Sequence, residues 1–459
     1  TDLTGFEVLF RFPTSATLDT SKLYNFYYWT SANGGTVSEA PQTIAVRTLS
    51  ALTGMQPTKF VWELWTGNAR SPQYDNSTLL LNILDTAKQA GFNRYQSSDD
   101  ASFNSTLNSY GLDPFLTINF ADGRTFDITK PYLAAHPTDG LVDKNGVRSD
   151  KYMCTTQLLG ANWSMFQQSI KSVAQNSGAS DIEYDYENDP FSSPHACFDS
   201  RCLAAFRTFA HISSSVTLTP AKVQSTYASQ WNDFMASRAA TLLKKMKDAV
   251  HSGKSTTHFV AYSGYQSSYT KTHYGIDWNL IGQNQSVDEA AMGYGRSATS
   301  IADSKSALGA IPVTFGELLS PYSKHSIDPV PPLLRSTMLR RALDATAGVL
   351  IYMRPSMDGR SWKAVADVSR LTADYETLFL TKTLQSVSGQ DPTSVQIATG
   401  GGKTILCVMN LSASQNSSFN FQVPSSLGQG RDFFTGAHIN GGQTLNITLA
   451  PGDAKAYVF

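Results

Sequence analysis

The chain has 459 residues, of which 41% are hydrophobic and only 16% charged, with a formal net charge of −1. That composition describes a globular protein with a large core, and without runs of Lys or Arg it argues against nucleic-acid and anionic-membrane partners. No apolar stretch reaches the roughly 18 residues of a spanning helix, so no membrane insertion is expected.

Residues 1–56 form an N-terminal segment. Within it FEVLFRF reads as a strand that could be added to a C-terminal sandwich, and VSEAPQTIAVRTLSALTG fits strand or helix equally well. From residue 57 to 380 short apolar strands alternate with amphipathic helical stretches, the pattern of a parallel α/β fold. The strands fall at 60–65, 92–98, 113–120, 181–187, 258–265, 289–295, 311–318 and 348–355, and several of the helical stretches between them stop at a Gly. Eight strand–helix pairs predict a closed (β/α)8 TIM barrel. No G-x-G-x-x-G opens the first helix and no P-loop is present, so no cofactor is expected. From 381 to 459 alternating segments such as KTILCVMNL, SFNFQVP and AKAYVF, broken by Gly, Asn and Ser turns, predict an antiparallel β-sandwich domain.

Several features point to a secreted glycoprotein. The chain opens at Thr1 with neither Met nor a charged-then-apolar leader, as a cleaved signal peptide would leave it. Sequons occur at Asn76, Asn104, Asn162, Asn284, Asn410, Asn416 and Asn446. Cys197 and Cys202, in HACFDSRCLAAF, have a spacing that suits a local disulfide bracing a loop against a helix start. Cys154 and Cys407 are far apart in the chain, and no Cys/His cluster has zinc spacing, so no metal is expected.

The richest chemistry lies in DIEYDYE, residues 181–187. Strand alternation puts Glu183, Asp185 and Glu187 on one face and Ile182, Tyr184 and Tyr186 on the other. The helix-facing side of a barrel strand is the apolar one, which turns the three carboxylates inward. Burying them costs several kcal/mol each unless they are paired, protonated or used. Glu187 stands at the C-terminal strand end, where barrel active sites form, and like-charge neighbours would raise its pKa as a general acid requires. A second carboxylate, Glu317, ends the seventh strand next to Gly316, which permits close approach of backbone or substrate. Sugar sites need flat apolar faces ringed by polar groups. Strand ends supply Glu63, Trp65, Tyr95, Asn119, Tyr262, Tyr294, Arg296, Tyr352 and Arg354, with Glu183 below them. No G-x-S-x-G elbow supports serine hydrolysis, and His195 reads as a loop residue.

Glutamates ending strands four and seven, on a barrel followed by a β-sandwich, resemble clan A of the retaining glycoside hydrolases. The resemblance implies Glu187 as acid/base and Glu317 as nucleophile, roughly 5–5.5 Å apart, acting on an oligo- or polysaccharide. Many clan members place Asn before the acid/base where Tyr186 stands here, which keeps Asp185 open as a substitute. Glu183-x-Asp185-x-Glu187 is also similar to the D-x-D-x-E pattern of family 18 chitinases, and Met292-Gly-Tyr294 to their Met-x-Tyr. That likeness implies substrate-assisted hydrolysis, with Glu187 as acid and Asp185 assisting. A non-catalytic carbohydrate-binding barrel is the reading from another functional class. Nothing in the sequence specifies an oligomeric state.

Overall fold

The computed structural model describes residues 19, 22–28, 42–66, 77–118, 129–186, 197–293, 298–318, 333–352 and 357–459. Eight parallel strands close into a barrel: β1 (Val61–Trp65), β2 (Arg94–Ser97), β3 (Asp113–Ile118), β4 (Asp181–Asp185), β5 (His258–Ser263), β6 (Glu289–Met292), β7 (Val313–Leu318) and β8 (Gly348–Tyr352). Each strand pairs with its neighbours in chain order and β8 returns to β1, so the sheet has no open edge. All eight expected strands are present.

Local chemistry sets the helix boundaries. Asp100 caps Ala101–Ser109 by accepting from Ser102 N and Phe103 N, and Asp358 caps Gly359–Asp374 by accepting from Ser361 N. Helix Ser268–Tyr274 stops at Gly275, whose φ of 75° is the left-handed conformation glycine adopts without penalty. Between the strands and the helices lies a continuous apolar core that includes Trp62, Leu64, Tyr184, Tyr186, Phe259, Phe315 and Ile351.

The sandwich follows the barrel. One sheet has the order Thr383–Ser386, Val395–Gly400, Lys403–Met409, Ala454–Val458, Gln429–Asp432, His438–Asn440, and Ser417–Gln422 pairs with Thr444–Leu449 in a second. The period-2 alternation gives the larger sheet two apolar faces. Leu406, Val408 and Tyr457 meet Phe419, Phe421 and Leu445 of the second sheet. Ile405, Cys407, Met409, Ala454 and Ala456 join the core of the barrel helices. Arg335, on helix Arg335–Asp344, spans the junction by pairing with both Asp367 and Asp453 at 2.7 Å.

FEVLFRF, near the start of the chain, lies outside the described residues. Leu23–Tyr28 and Gln42–Arg47 form an antiparallel hairpin that, among the described residues, joins neither the sandwich nor the barrel sheet. QTIAVR is therefore strand, which settles one of the two alternatives for that stretch. No described helix is long and apolar enough to cross a membrane.

Candidate active site

The barrel interior is built in two parts, one charged and one aromatic. Residues directly paired across neighbouring strands share a face, so the inward set can be followed around the wall. Phe115, Val260, Tyr262, Ala291 and Leu350 pack inside together with Trp65. Glu183 is in register with Val260 and Asp185 with Tyr262, which turns both carboxylates inward, while Tyr184 and Tyr186 join the helix-side core. This is the division the alternation in DIEYDYE predicts.

Toward the strand starts the interior holds an ion cluster centred on Arg94. Its Nη1 donates to Glu63 Oε2 and Glu289 Oε1, each at 3.0 Å, and its Nη2 donates to Asp181 Oδ1 at 3.2 Å. Thr314 Oγ1 donates to Glu289 Oε1 at 2.6 Å. One guanidinium thus faces three carboxylates on β1, β4 and β6, with Glu183 close enough to feel them. A single positive charge cannot stabilise four buried negative ones, so protons are retained. Burial, opposed by Arg94 but reinforced by Glu289 and Asp181, pushes Glu63 up to about 7. Glu183 is held well above the usual carboxylate range by burial first, then by Glu63 and Asp185. Neither of its oxygens has a hydrogen-bond partner among the described residues, which is tolerable only for the neutral acid.

Toward the strand ends the lining becomes aromatic. The Trp65 ring meets Tyr262 at 4.8 Å, Tyr352 at 5.6 Å and Phe115 at 6.3 Å between centroids, all edge to face. Gly293 makes room for this arrangement, since a Cβ there would lie 1.9 Å from the Tyr262 hydroxyl. Asp185 is level with Tyr262 on this part of the wall. A cavity of about 200 Å³ opens beside the ends of β1 and β2, lined by Thr66, Leu80, Tyr95, Gln96, Ser98, Asp100 and Phe103.

The expected site residues separate into three groups. Glu183, Asp185, Trp65, Tyr262 and Tyr352 are brought together inside the barrel, with Glu63 also inside but tied to Arg94. Two depart from expectation. Tyr95 belongs to the helix-side core, being in register with Leu64, and lines the lateral cavity. Glu317 is in register with Ile351 of that same outer core, and its Oε2 accepts from Arg341 Nε at 2.6 Å on helix Arg335–Asp344. It therefore faces the helices, because the inward places on β7 belong to Thr314 and Gly316. Met292 likewise lies on the helix side, in register with Phe315. Glu187, Asn119, Tyr294, Arg296, Arg354 and His195 lie outside the described residues.

Arg94 and Glu289 escaped the sequence reading. Their signal was present in FNRYQSS, where polar Arg94 and Gln96 flank an apolar Tyr95, and in Glu289 opening an apolar strand.

The cysteine and sequon expectations need correction. No disulfide joins Cys197 to Cys202: all four cysteines are free, and Cys154 joins the pair in one buried cluster. Asn104 is fully buried, its Nδ2 donating to Ser98 O and Ser177 O, and Asn410 is 1% exposed, its Nδ2 facing three carbonyls. A glycan on either nitrogen would break those bonds. Asn162 is half-buried, Asn284, Asn416 and Asn446 are exposed, and Asn76 lies outside the described residues.

No protein-family model matches the chain, and no curated protein is significantly similar to it in sequence. Solved structures do resemble it. The β-galactosidase of Bacillus circulans sp. alkalophilus superposes with a TM-score of 0.58 at 9% identity, over 87% of this chain and 99% of that one. An Anoxybacillus α-amylase gives 0.54 at 9% identity, over 87% and 97%. A family 36 α-galactosidase from Geobacillus stearothermophilus, solved with raffinose, gives 0.54 at 11% identity over 87% of this chain but 55% of that one, so the chain spans about half that enzyme's length. At such identities the likeness establishes the fold, a TIM barrel with a C-terminal β-sandwich.

Proposed function

We propose that this protein is a glycoside hydrolase whose catalytic carboxylates come from β4 and the sequence that follows it, with Glu187 as general acid and Asp185 as the second carboxylate. The observation that carries the reading is the inward file of Glu183 and Asp185, rising from a protonated, ion-paired floor toward an aromatic mouth. Glu187 is the next residue in that alternation. A purely structural barrel would fill these places with Val or Ile. The superposable β-galactosidase, α-amylase and α-galactosidase all act on glycosides by name, and one was solved with an oligosaccharide, which supports a saccharide substrate.

The outward placement of Glu317 favours this assignment over a strand-four/strand-seven pair. A substrate-assisted course, with Asp185 orienting an acetamido group of the sugar, follows the same geometry and retains anomeric configuration. Turnover distinguishes the enzyme from a carbohydrate-binding barrel, because a lectin has no use for a tuned acid. Secretion belongs to the same reading and is supported by the exposed sequons Asn284, Asn416 and Asn446.

The test is hydrolysis of a panel of α- and β-aryl glycosides, N-acetylhexosaminides among them, and of polysaccharides, with product configuration followed by NMR. A bell-shaped pH profile whose alkaline limb is lost in Glu187→Gln supports the reading. Binding without turnover across the panel contradicts it.

A further inference from the structure

Three cysteines distant in sequence converge at one point beside the barrel. Cys154 stands at the N-cap of helix Thr155–Leu159, Cys202 in the first turn of helix Ser200–Phe209, and Cys197 just before its N-cap Asp199. All three are buried, and their Sγ atoms lie within 4.8 Å of one another, with Cys154 and Cys202 at 3.3 Å. The hydroxyls of Thr155 and Thr156 are 3.4 and 3.2 Å from Cys202 Sγ.

An independent observation comes from the other side of the cluster. Arg238, on helix Ala228–Gly253, donates from Nη2 to Thr156 Oγ1 at 3.1 Å and rests its guanidinium 5.0 Å from the Phe234 ring centroid. Its Nε is buried with no hydrogen-bond partner, and no carboxylate pairs with it among the described residues. Burial lowers its pKa, and the three thiols oppose that shift. A half-buried guanidinium that meets no carboxylate among the described residues favours negative charge where the cysteines are.

We propose that Cys154, Cys197 and Cys202 form a binding site for a thiophilic d10 cation, Zn2+ in the first instance, with Arg238 as its counter-charge. Tetrahedral Zn–S bonds of about 2.3 Å separate the sulfurs by about 3.8 Å, close to the 3.3 Å between Cys154 and Cys202 and inside the 4.8 Å that holds all three. The three thiols release their protons to solvent as the bonds form. Three thiolates and a divalent cation leave one net negative charge, which a single guanidinium balances. Thr155, Thr156 or a water can supply the fourth ligand. A disulfide would join two of the sulfurs and leave Arg238 facing no negative charge.

The site also has a structural consequence. Phe198 N donates to Val142 O at 2.7 Å, so the metal would tie two helix starts to the short strand Gly140–Val142, which pairs with Arg148–Met153. Cys197 follows Glu187 by ten positions.

The decisive experiment uses the full chain, dialysed against Zn2+ and then metal-free buffer. It combines elemental analysis, the absorption spectrum after Co2+ exchange, and a thiol count in denaturant with chelator. The expected result is one zinc per chain, thiolate-to-cobalt charge-transfer absorption, and four titratable thiols. Cys154→Ser should abolish binding, and Arg238→Gln should weaken Zn2+ affinity on the order of 10–100-fold with Arg238→Lys restoring most of it. Failure of Cys154→Ser to fold leaves the wild-type Co2+ spectrum to decide. Less than a tenth of an equivalent of zinc, absent cobalt–thiolate absorption, or a count of two thiols overturns the proposal.

Discussion

Arg341 Nε donates to Glu317 Oε2 across 2.6 Å on the outer side of the barrel wall, and both side chains are largely buried, at 8% and 18% exposure. The pair joins the end of β7 to the helix that follows it, and Arg341 also approaches Asp344 at 3.6 Å. A carboxylate engaged in this way serves stability. Glu317→Gln should lower unfolding free energy by about 2 kcal/mol, the scale for loss of a charge-assisted bond in a partly buried pair, and leave kcat within a few-fold of wild type. Urea unfolding alongside an aryl glycoside assay measures both. A fully active but unaltered melt would detach Glu317 from the role assigned to it.

The Arg94 cluster should be far less forgiving. Arg94→Met removes the guanidinium shared by Glu63, Asp181 and Glu289 and leaves those carboxyls buried together. Breaking a buried ion pair from one side costs about 3–5 kcal/mol, and part of that returns as the acids take up protons. The variant should therefore be destabilised most at neutral pH and recover toward pH 5. Melts that are equally depressed at both values would show that packing, and not charge, sets the loss.

Glu63 gives a pH dependence of definite sign. In the folded chain it keeps its proton to about 7, whereas the unfolded chain releases it near the ordinary 4.5. The folded state binds more protons between those values, so this residue's contribution to stability falls as pH rises from 4.5 to 7. Glu63→Gln is neutral throughout and still offers Arg94 an acceptor. Its stability relative to wild type should rise by up to about 3 kcal/mol from pH 5 to pH 7.5, followed by chemical denaturation at each pH. Parallel curves for the two proteins would mean that Glu63 is ionised at both.

The Asn410 side chain donates to Gln415 O, Leu449 O and Ala450 O and accepts from Ser412 N and Ser417 Oγ. Asn410→Ala leaves these buried groups unsatisfied and should destabilise the chain by about 2–3 kcal/mol, whereas Asn416→Ala, at an exposed sequon, should be near neutral. Thermal unfolding of the two variants, without and with glycans, separates a structural asparagine from an attachment site.

Much of this was legible in the sequence, and the reasons differ from strand to strand. β4 was readable because Ile182, Tyr184 and Tyr186 define the apolar face unambiguously, leaving one direction for Glu183 and Asp185. β7 misled because VTFGEL has no comparable contrast: Phe315 marks the helix side, and Glu317 two residues later had to follow it there. The Arg94 cluster was hidden because a buried salt bridge depends on strands far apart in the chain, Glu63 from Glu289 by nearly half its length. Cys154 was overlooked for the same reason. Its partners are 43 and 48 residues on, and only the folded helix starts bring them together.

The central claim is that the catalytic carboxylates come from β4 and the sequence that follows it, and the most direct measurement is kcat/KM of Asp185→Asn and Glu317→Gln against wild type on the best aryl glycoside found. The account predicts a loss of at least about 10²–10³-fold for Asp185→Asn and near-normal turnover for Glu317→Gln. A dead Glu317→Gln that stays folded and is rescued by azide at a Glu317→Gly truncation, beside an active Asp185→Asn, would contradict it and return the chemistry to strands four and seven.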